Sequence, residues 1–159
     1  MKAIRHIGIV VSDMERSLKF YRDLLGLKVV KDSKEEGKYI DKILGLSGAK
    51  LWMIKLAADD GTMMELLKYM SHPQKALDNP QICDIGCSHI AFTVDDVGKE
   101  YTRLSNKGVR FNYPPLVSPD GYAKVAFCRD PDGVFIELVE VQTKNKLKTV
   151  KGSEIKKGS

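Results

Sequence analysis

One pattern is written twice in this chain. His6-Ile-Gly-Ile-Val-Val-Ser-Asp-Met14 returns as His89-Ile-Ala-Phe-Thr-Val-Asp-Asp-Val97, and Asp60-Gly-Thr-Met-Met-Glu-Leu66 returns as Asp132-Gly-Val-Phe-Ile-Glu-Leu138. Self-similarity at a fixed offset is the mark of one supersecondary unit built twice. It restricts the fold to architectures in which two equivalent halves each form the same small sheet.

The local signals agree between the copies. Each opens on a strand, Ala3–Val11 and Ser88–Val94, rich in β-branched residues. Ser12-Asp-Met-Glu15 reads as a capping box that starts a helix. Met14, Leu18, Tyr21 and Leu25 form its apolar stripe, and Gly26 stops it. In the second copy Asp95-Asp96 precede Val97, Tyr101 and Leu104, and the stop falls near Gly108. Hairpins close both copies: Lys50–Leu56 with Thr62–Tyr69, and Tyr122–Cys128 with Val134–Val141. Asp59-Asp60-Gly61 and Asp130-Pro-Asp-Gly133 supply their turns.

The pattern is therefore βαβββ, twice, an α+β fold of two tandem modules forming a curved mixed sheet. Residues 1–70 make the first module, 71–87 a linker with Pro73 and Pro80, and 88–141 the second module. Residues 142–159 form a Lys-rich tail expected to be disordered. Segment 29–49 is longer than its counterpart 109–121. It is expected to be a loop over the site or a dimer contact, with a short helix at Lys38–Leu46.

Charge excludes some partners. The formal net charge is +5, and residues 142–159 carry six lysines against a single acid, Glu154, so the tail accounts for all of it. A folded basic stripe would suggest nucleic acid; a polar lysine tail does not. No run approaches the ~18 apolar residues of a membrane span, and the N-terminus lacks a signal-peptide pattern. A cytoplasmic protein is expected, without nucleic-acid or membrane partners. Cys83, Cys87 and Cys128 lack CxxC spacing and read as free thiols, with Cys83 and Cys87 expected to be partly buried and inert.

Strand alternation locates the chemistry. Ile7, Ile9 and Val11, like Ile90, Phe92 and Val94, suit packing beneath the helices. His6, Gly8 and Val10, like His89, Ala91 and Thr93, face the other way, with small residues around each histidine. Glu65 shares a face with Met63 and Leu67, and Glu137 with Phe135 and Val139. A strand histidine alone is commonly structural. A carboxylate inside an apolar run needs a cation or several donors, and no arginine repeats beside these two. With two of the chain's three histidines and two glutamates recurring in register, a shared metal is the economical reading. The set His6, Glu65, His89 and Glu137 suits Zn²⁺, Ni²⁺, Co²⁺, Mn²⁺ or Fe²⁺.

These residues also carry a resemblance. HIGIVVSDMERSLKFYRDLLGL, HIAFTVDDV and AFCRDPDGVFIELVE make residues 3–141 resemble the vicinal oxygen chelate superfamily, of glyoxalase, bleomycin-resistance and extradiol-dioxygenase type. The resemblance implies paired βαβββ modules cupped around a divalent metal, a small-molecule substrate and a homodimer. Lactoylglutathione lyases have His or Gln, Glu, His and Glu at the four metal positions, which His6, Glu65, His89 and Glu137 match in order. The implied activity is a metal-dependent lyase or isomerase: the ion stabilises an enediolate or enolate while Glu137 or Glu65 transfers the proton.

Alternatives stay open. Methylmalonyl-CoA epimerases usually have glutamine where Glu65 stands. An extradiol-type iron(II) dioxygenase would use His6, His89 and Glu137, but needs further active-site histidines where only His72 remains. A non-catalytic binding or resistance protein is the fourth reading. Glu65 is followed by Leu-Leu-Lys-Tyr-Met in place of the Leu-Thr-x-Asn stretch that helps bind glutathione. Lys55 and Lys124 on the third strands, with Tyr39 and Tyr122 near their starts, are candidates for substrate contact. Trp52 reads as core or cavity wall.

Overall fold

A computed structural model describes residues 3–142 apart from 74, 76–78 and 87. Cys87 and the expected tail beyond Gln142 thus lie outside the described residues. Two units divide between Asn79 and Pro80, inside the segment read as a linker.

In the first unit β1 (Ile7–Val10), α1 (Met14–Leu18), β2 (Lys28–Glu36), α2 (Lys38–Leu44), β3 (Lys50–Ala57) and β4 (Met63–Tyr69) follow in order. They build a four-stranded sheet in the order β1-β4-β3-β2. The second unit has β5 (His89–Thr93), α3 (Val97–Ser105), β6 (Leu116–Val117), β7 (Ala123–Arg129) and β8 (Phe135–Val141). Its order, β5-β8-β7-β6, is the same. In each sheet the first strand pairs parallel with the last, and the other pairings are antiparallel. Two mixed sheets of tandem βαβββ modules are therefore present, as the repeat predicts.

Several local details differ from the sequence reading. The opening strand is shorter than Ala3–Val11, and His6 lies just before it. Asp13, not Ser12, caps α1, accepting a 2.9 Å hydrogen bond from the Arg16 amide. Asp96 does the same for Lys99 at 2.9 Å. The first helix does not run on regularly to Leu25. After Leu18 it widens into a π-helical turn, Lys19–Leu24, so that Phe20 and Tyr21 are both buried, their rings edge to face at 5.0 Å. Gly26, at φ 81°, ends the segment as expected.

Segment 29–49 is corrected most. Its first part belongs to a nine-residue strand, β2, paired along β3 from Lys28↔Ala57 to Glu36↔Lys50 with a bulge between Val29 and Lys31. Charged residues dominate this strand, and edge strands tolerate that because one rim stays in water. The expected short helix is present as α2.

The core beneath the first sheet joins Val11, Met14, Leu18 and Tyr21 to Ile54, Leu56, Met64 and Leu66. Beneath the second lie Val97, Leu104, Ala126, Cys128, Ile136 and Leu138. Each buried side chain of Leu or Ile size contributes about 1.5–3 kcal/mol. These rows occupy one face of each sheet and leave the other for chemistry.

Candidate functional site

Parallel pairing of β1 with β4 sets Gly8 beside Glu65, and parallel pairing of β5 with β8 sets Ala91 beside Glu137. A small residue next to each glutamate leaves space for the histidine two residues before it, His6 just ahead of β1 and His89 at the start of β5. A Cβ at Gly8 would already meet Leu67 Cδ1 at 3.3 Å.

The result is one His–Glu pair per module. His6 Nε2 lies 3.3 Å from Glu65 Oε2, and His89 Nε2 lies 3.1 Å from Glu137 Oε2. Nitrogen and oxygen ligands of a single ion, each about 2.0–2.2 Å from it, stand roughly 3–3.4 Å apart. Both pairs have that spacing and an N/O donor set, so each pair taken by itself fits two ligands of a divalent ion. Within either module no third His, Cys, Asp or Glu joins the pair among the described residues.

The modules differ at the next strand. Lys55 on β3 stands across from Glu65, and its Nζ lies 2.6 Å from Oε1. At the same register position in the second module Phe127 stands across from Glu137, its ring edge to face with His89 at 5.5 Å between centroids. Glu65 is thus buried beside an ammonium, whereas Glu137, half-buried, faces an aromatic ring. A search for a cation repeated in both copies passes over one that is present in only one. The sequence does hold a signal for it: counting outward from the Asp59–Gly61 turn puts residue 55 opposite residue 65.

The other candidates fall elsewhere. Lys124 pairs in register with Glu140 and lies on the helix side, its Nζ 3.3 Å from where a Cβ at Gly98 would be. Glu140 Oε2 there accepts the Val97 amide at 3.0 Å, closing the start of α3. Tyr122 immediately precedes β7 and is exposed. Tyr39 is on α2 rather than at the start of β3, and is 71% exposed. Trp52 is half-buried; its indole donates to Asp32 at 2.7 Å and Lys34 lies over its ring.

Beyond the sites, the turn before β8 is unusually tied. Asp130 is buried and accepts the Asp132 and Val134 amides at 2.9 and 2.8 Å. Arg129 lies over the Phe135 ring at 4.0 Å and donates to the Pro80 carbonyl at 3.0 Å. These bonds fix the entry of the strand that carries Glu137.

The model of the Glyoxalase/Bleomycin resistance protein/Dioxygenase superfamily matches residues 3–138. The chain belongs to that superfamily. Among superfamily relatives, the lactoylglutathione lyase of Haemophilus influenzae is 33% identical over 86% of this chain and 91% of its own length. The Escherichia coli protein YaeR, uncharacterised, is 28% identical over 88% of this chain and 97% of its own length. Among solved structures, a glyoxalase family protein of Bacillus cereus superposes with a TM-score of 0.80 at 21% identity, covering 89% of this chain and 95% of that one. This last likeness is one of fold. No helix among the described residues is long and apolar enough to cross a membrane.

Proposed function

We propose that the protein is a divalent-metal-dependent lyase or isomerase of glyoxalase type, acting on a small α-hydroxycarbonyl or hemithioacetal substrate. The observation that carries this reading is the recurrence of one His–Glu pair at 3.1–3.3 Å in each module. The imidazoles of His6 and His89 and the carboxylates of Glu65 and Glu137 would hold the ion. When bound, a divalent cation supplies Lewis-acid stabilisation of negative charge developing on substrate oxygen. The relative from Haemophilus influenzae supports the lyase chemistry.

Glu137 moves the proton. Its neighbours across the strands are a ring and an imidazole where Glu65 has an ammonium, so its carboxylate can take a proton from the substrate carbon and return it to the neighbouring one. Glu65 is held by Lys55 and serves as the fixed ligand. Phe127 bears on the ring of His89.

A second reading shares the proton transfer but replaces the substrate with an acyl thioester, as in an epimerase. Leu66-Leu-Lys-Tyr-Met70, where a glutathione-binding stretch is expected, favours it. Self-association into a homodimer is part of the proposal, supported by Ile4, Val10, Val30, Tyr39 and Ile43 exposed on the first module.

The test is elemental analysis of the protein after reconstitution with Zn²⁺, Ni²⁺, Co²⁺, Mn²⁺ or Fe²⁺, followed by assay with hemithioacetals and acyl-CoA thioesters. About one ion per chain, lost in Glu65→Ala, with turnover of either substrate, is the expected result. No stoichiometric ion under any condition overturns it.

A further inference from the structure

The first sheet runs a row of four residues across its strands: Lys31 on β2, Lys55 on β3, Glu65 on β4 and Gly8 on β1. The second sheet places Phe127, Glu137 and Ala91 in the same row. Duplication has thus kept the His and Glu of each copy and exchanged their neighbour, an ammonium for a phenyl ring. With neutral imidazoles, His6, Glu65 and Lys55 together carry no net charge, whereas His89 and Glu137 carry one negative charge.

The two oxygens of Glu65 are also divided. Oε1 is 2.6 Å from Lys55 Nζ, and Oε2 is 3.3 Å from His6 Nε2. Glu65 is only 7% exposed, so its carboxylate has little room to rotate away from either neighbour. Lys55 itself is largely enclosed, with 22% of its side chain in solvent, so water screens the pair weakly.

We propose that Lys55 is a positioning residue that occupies Oε1 of Glu65, leaving Oε2 as the one carboxylate oxygen this module offers a divalent ion. The inference rests on the metal reading of the proposed function. Its consequence is a centre of restrained affinity. The ammonium offsets one of the two ligand carboxylates and prevents Glu65 from binding an ion through both oxygens. Ions that favour two-oxygen carboxylate ligation, Ca²⁺ above all, are disfavoured relative to Mn²⁺.

The experiment is calorimetric titration of the full chain with Mn²⁺ and Ca²⁺, using wild type, Lys55→Gln and Lys55→Arg. Gln removes the charge and, being shorter, releases Oε1; Arg keeps both the charge and a donor. Lys55→Gln is expected to bind Mn²⁺ about tenfold tighter, the scale of effect typical of groups bonded to metal ligands. It is also expected to gain proportionally more for Ca²⁺, while Lys55→Arg stays near wild type. Unchanged or weaker Mn²⁺ binding in Lys55→Gln overturns the proposal while leaving the metal reading intact. No Mn²⁺ binding in any of the three overturns the proposal, and the metal reading falls with it only if Zn²⁺, Ni²⁺, Co²⁺ and Fe²⁺ also fail to bind.

A mirror pair guards against a variant that fails to fold. Phe127→Lys puts an ammonium across from Glu137, and Phe127→Met removes the ring without adding charge. Mn²⁺ binding about tenfold weaker in Phe127→Lys than in Phe127→Met supports the proposal. Equal binding in the two overturns it.

Discussion

Lys55 and Phe127 hold the same register position in the two modules, each facing the glutamate of its own sheet across one strand pairing. One consequence concerns stability without any metal. Lys55→Met strands the Glu65 carboxylate, 7% exposed, with only an imidazole for company. Leaving a buried charge without its partner is expected to lower the unfolding free energy by about 1–3 kcal/mol. Urea unfolding of the chelator-treated protein measures it. Adding Glu65→Gln to Lys55→Met should recover part of the loss, and no recovery would refute the pairing.

Glu137→Gln separates holding an ion from moving a proton. The amide keeps a carbonyl oxygen for ligation and cannot accept a proton as a base. Turnover should fall by at least about a hundredfold, the lower end of what general base catalysis supplies, with some metal retained by elemental analysis. Full activity in this variant sinks the proposed mechanism.

Acid should loosen the connection between α2 and β3. Asp41 accepts the Gly48 and Ala49 amides at 3.0 and 2.8 Å, and these two bonds, Gly48's first, hold its carboxyl below the ordinary 3.8. A depressed folded value stabilises the native state above pH 3.8, and that contribution disappears as pH falls through the lower folded value. The amide proton shifts of Gly48 and Ala49 should titrate together with a midpoint below 3.8. Asp41→Ala should lower the melting temperature at neutral pH and abolish that titration.

Thiol chemistry should distinguish two cysteines sharply. Cys128 is fully buried on β7, and burial first, then the nearby Asp130 charge, pushes its thiol up to about 12. At pH 8 roughly one molecule in ten thousand then carries the thiolate that alkylating agents attack. Iodoacetamide at pH 8 should label exposed Cys83 in the native protein and spare Cys128 until denaturant is added. Peptide mapping by mass spectrometry reads both, and native labelling of Cys128 would contradict its placement.

Much of the fold was legible because it was stated twice. The hairpins around Gly61 and Gly133 and the stop at Gly26 each rest on local chemistry that alternation and turn residues report directly. What was hidden has physical reasons too. The π-helical turn at Lys19–Leu24, with Phe20 and Tyr21 both buried, shifts the backbone pairing by one residue while the apolar stripe still reads as an ordinary helix. Strand β2 is masked by its charges, since Lys28–Glu36 looks like a loop until its rim position explains them. At the candidate site the His–Glu pairs were visible as repeats. Lys55's role was not, because comparing copies finds what duplication preserved and misses what it changed.

The parallel pairing of each first strand with its module's last has a further consequence, for the order in which the chain assembles. Ile7 finds its ladder partner at Met64, and His89 finds its own at Phe135. Neither opening strand can be seated until nearly all of its module exists, so closure of a long loop precedes the reward of pairing. On a ribosome the histidine end of the first module must wait, unpaired, for the glutamate strand to emerge. Once Tyr69 has been added that module has every strand of its sheet, ten residues before the division at Asn79. Its sheet can then form while the second copy is still being made.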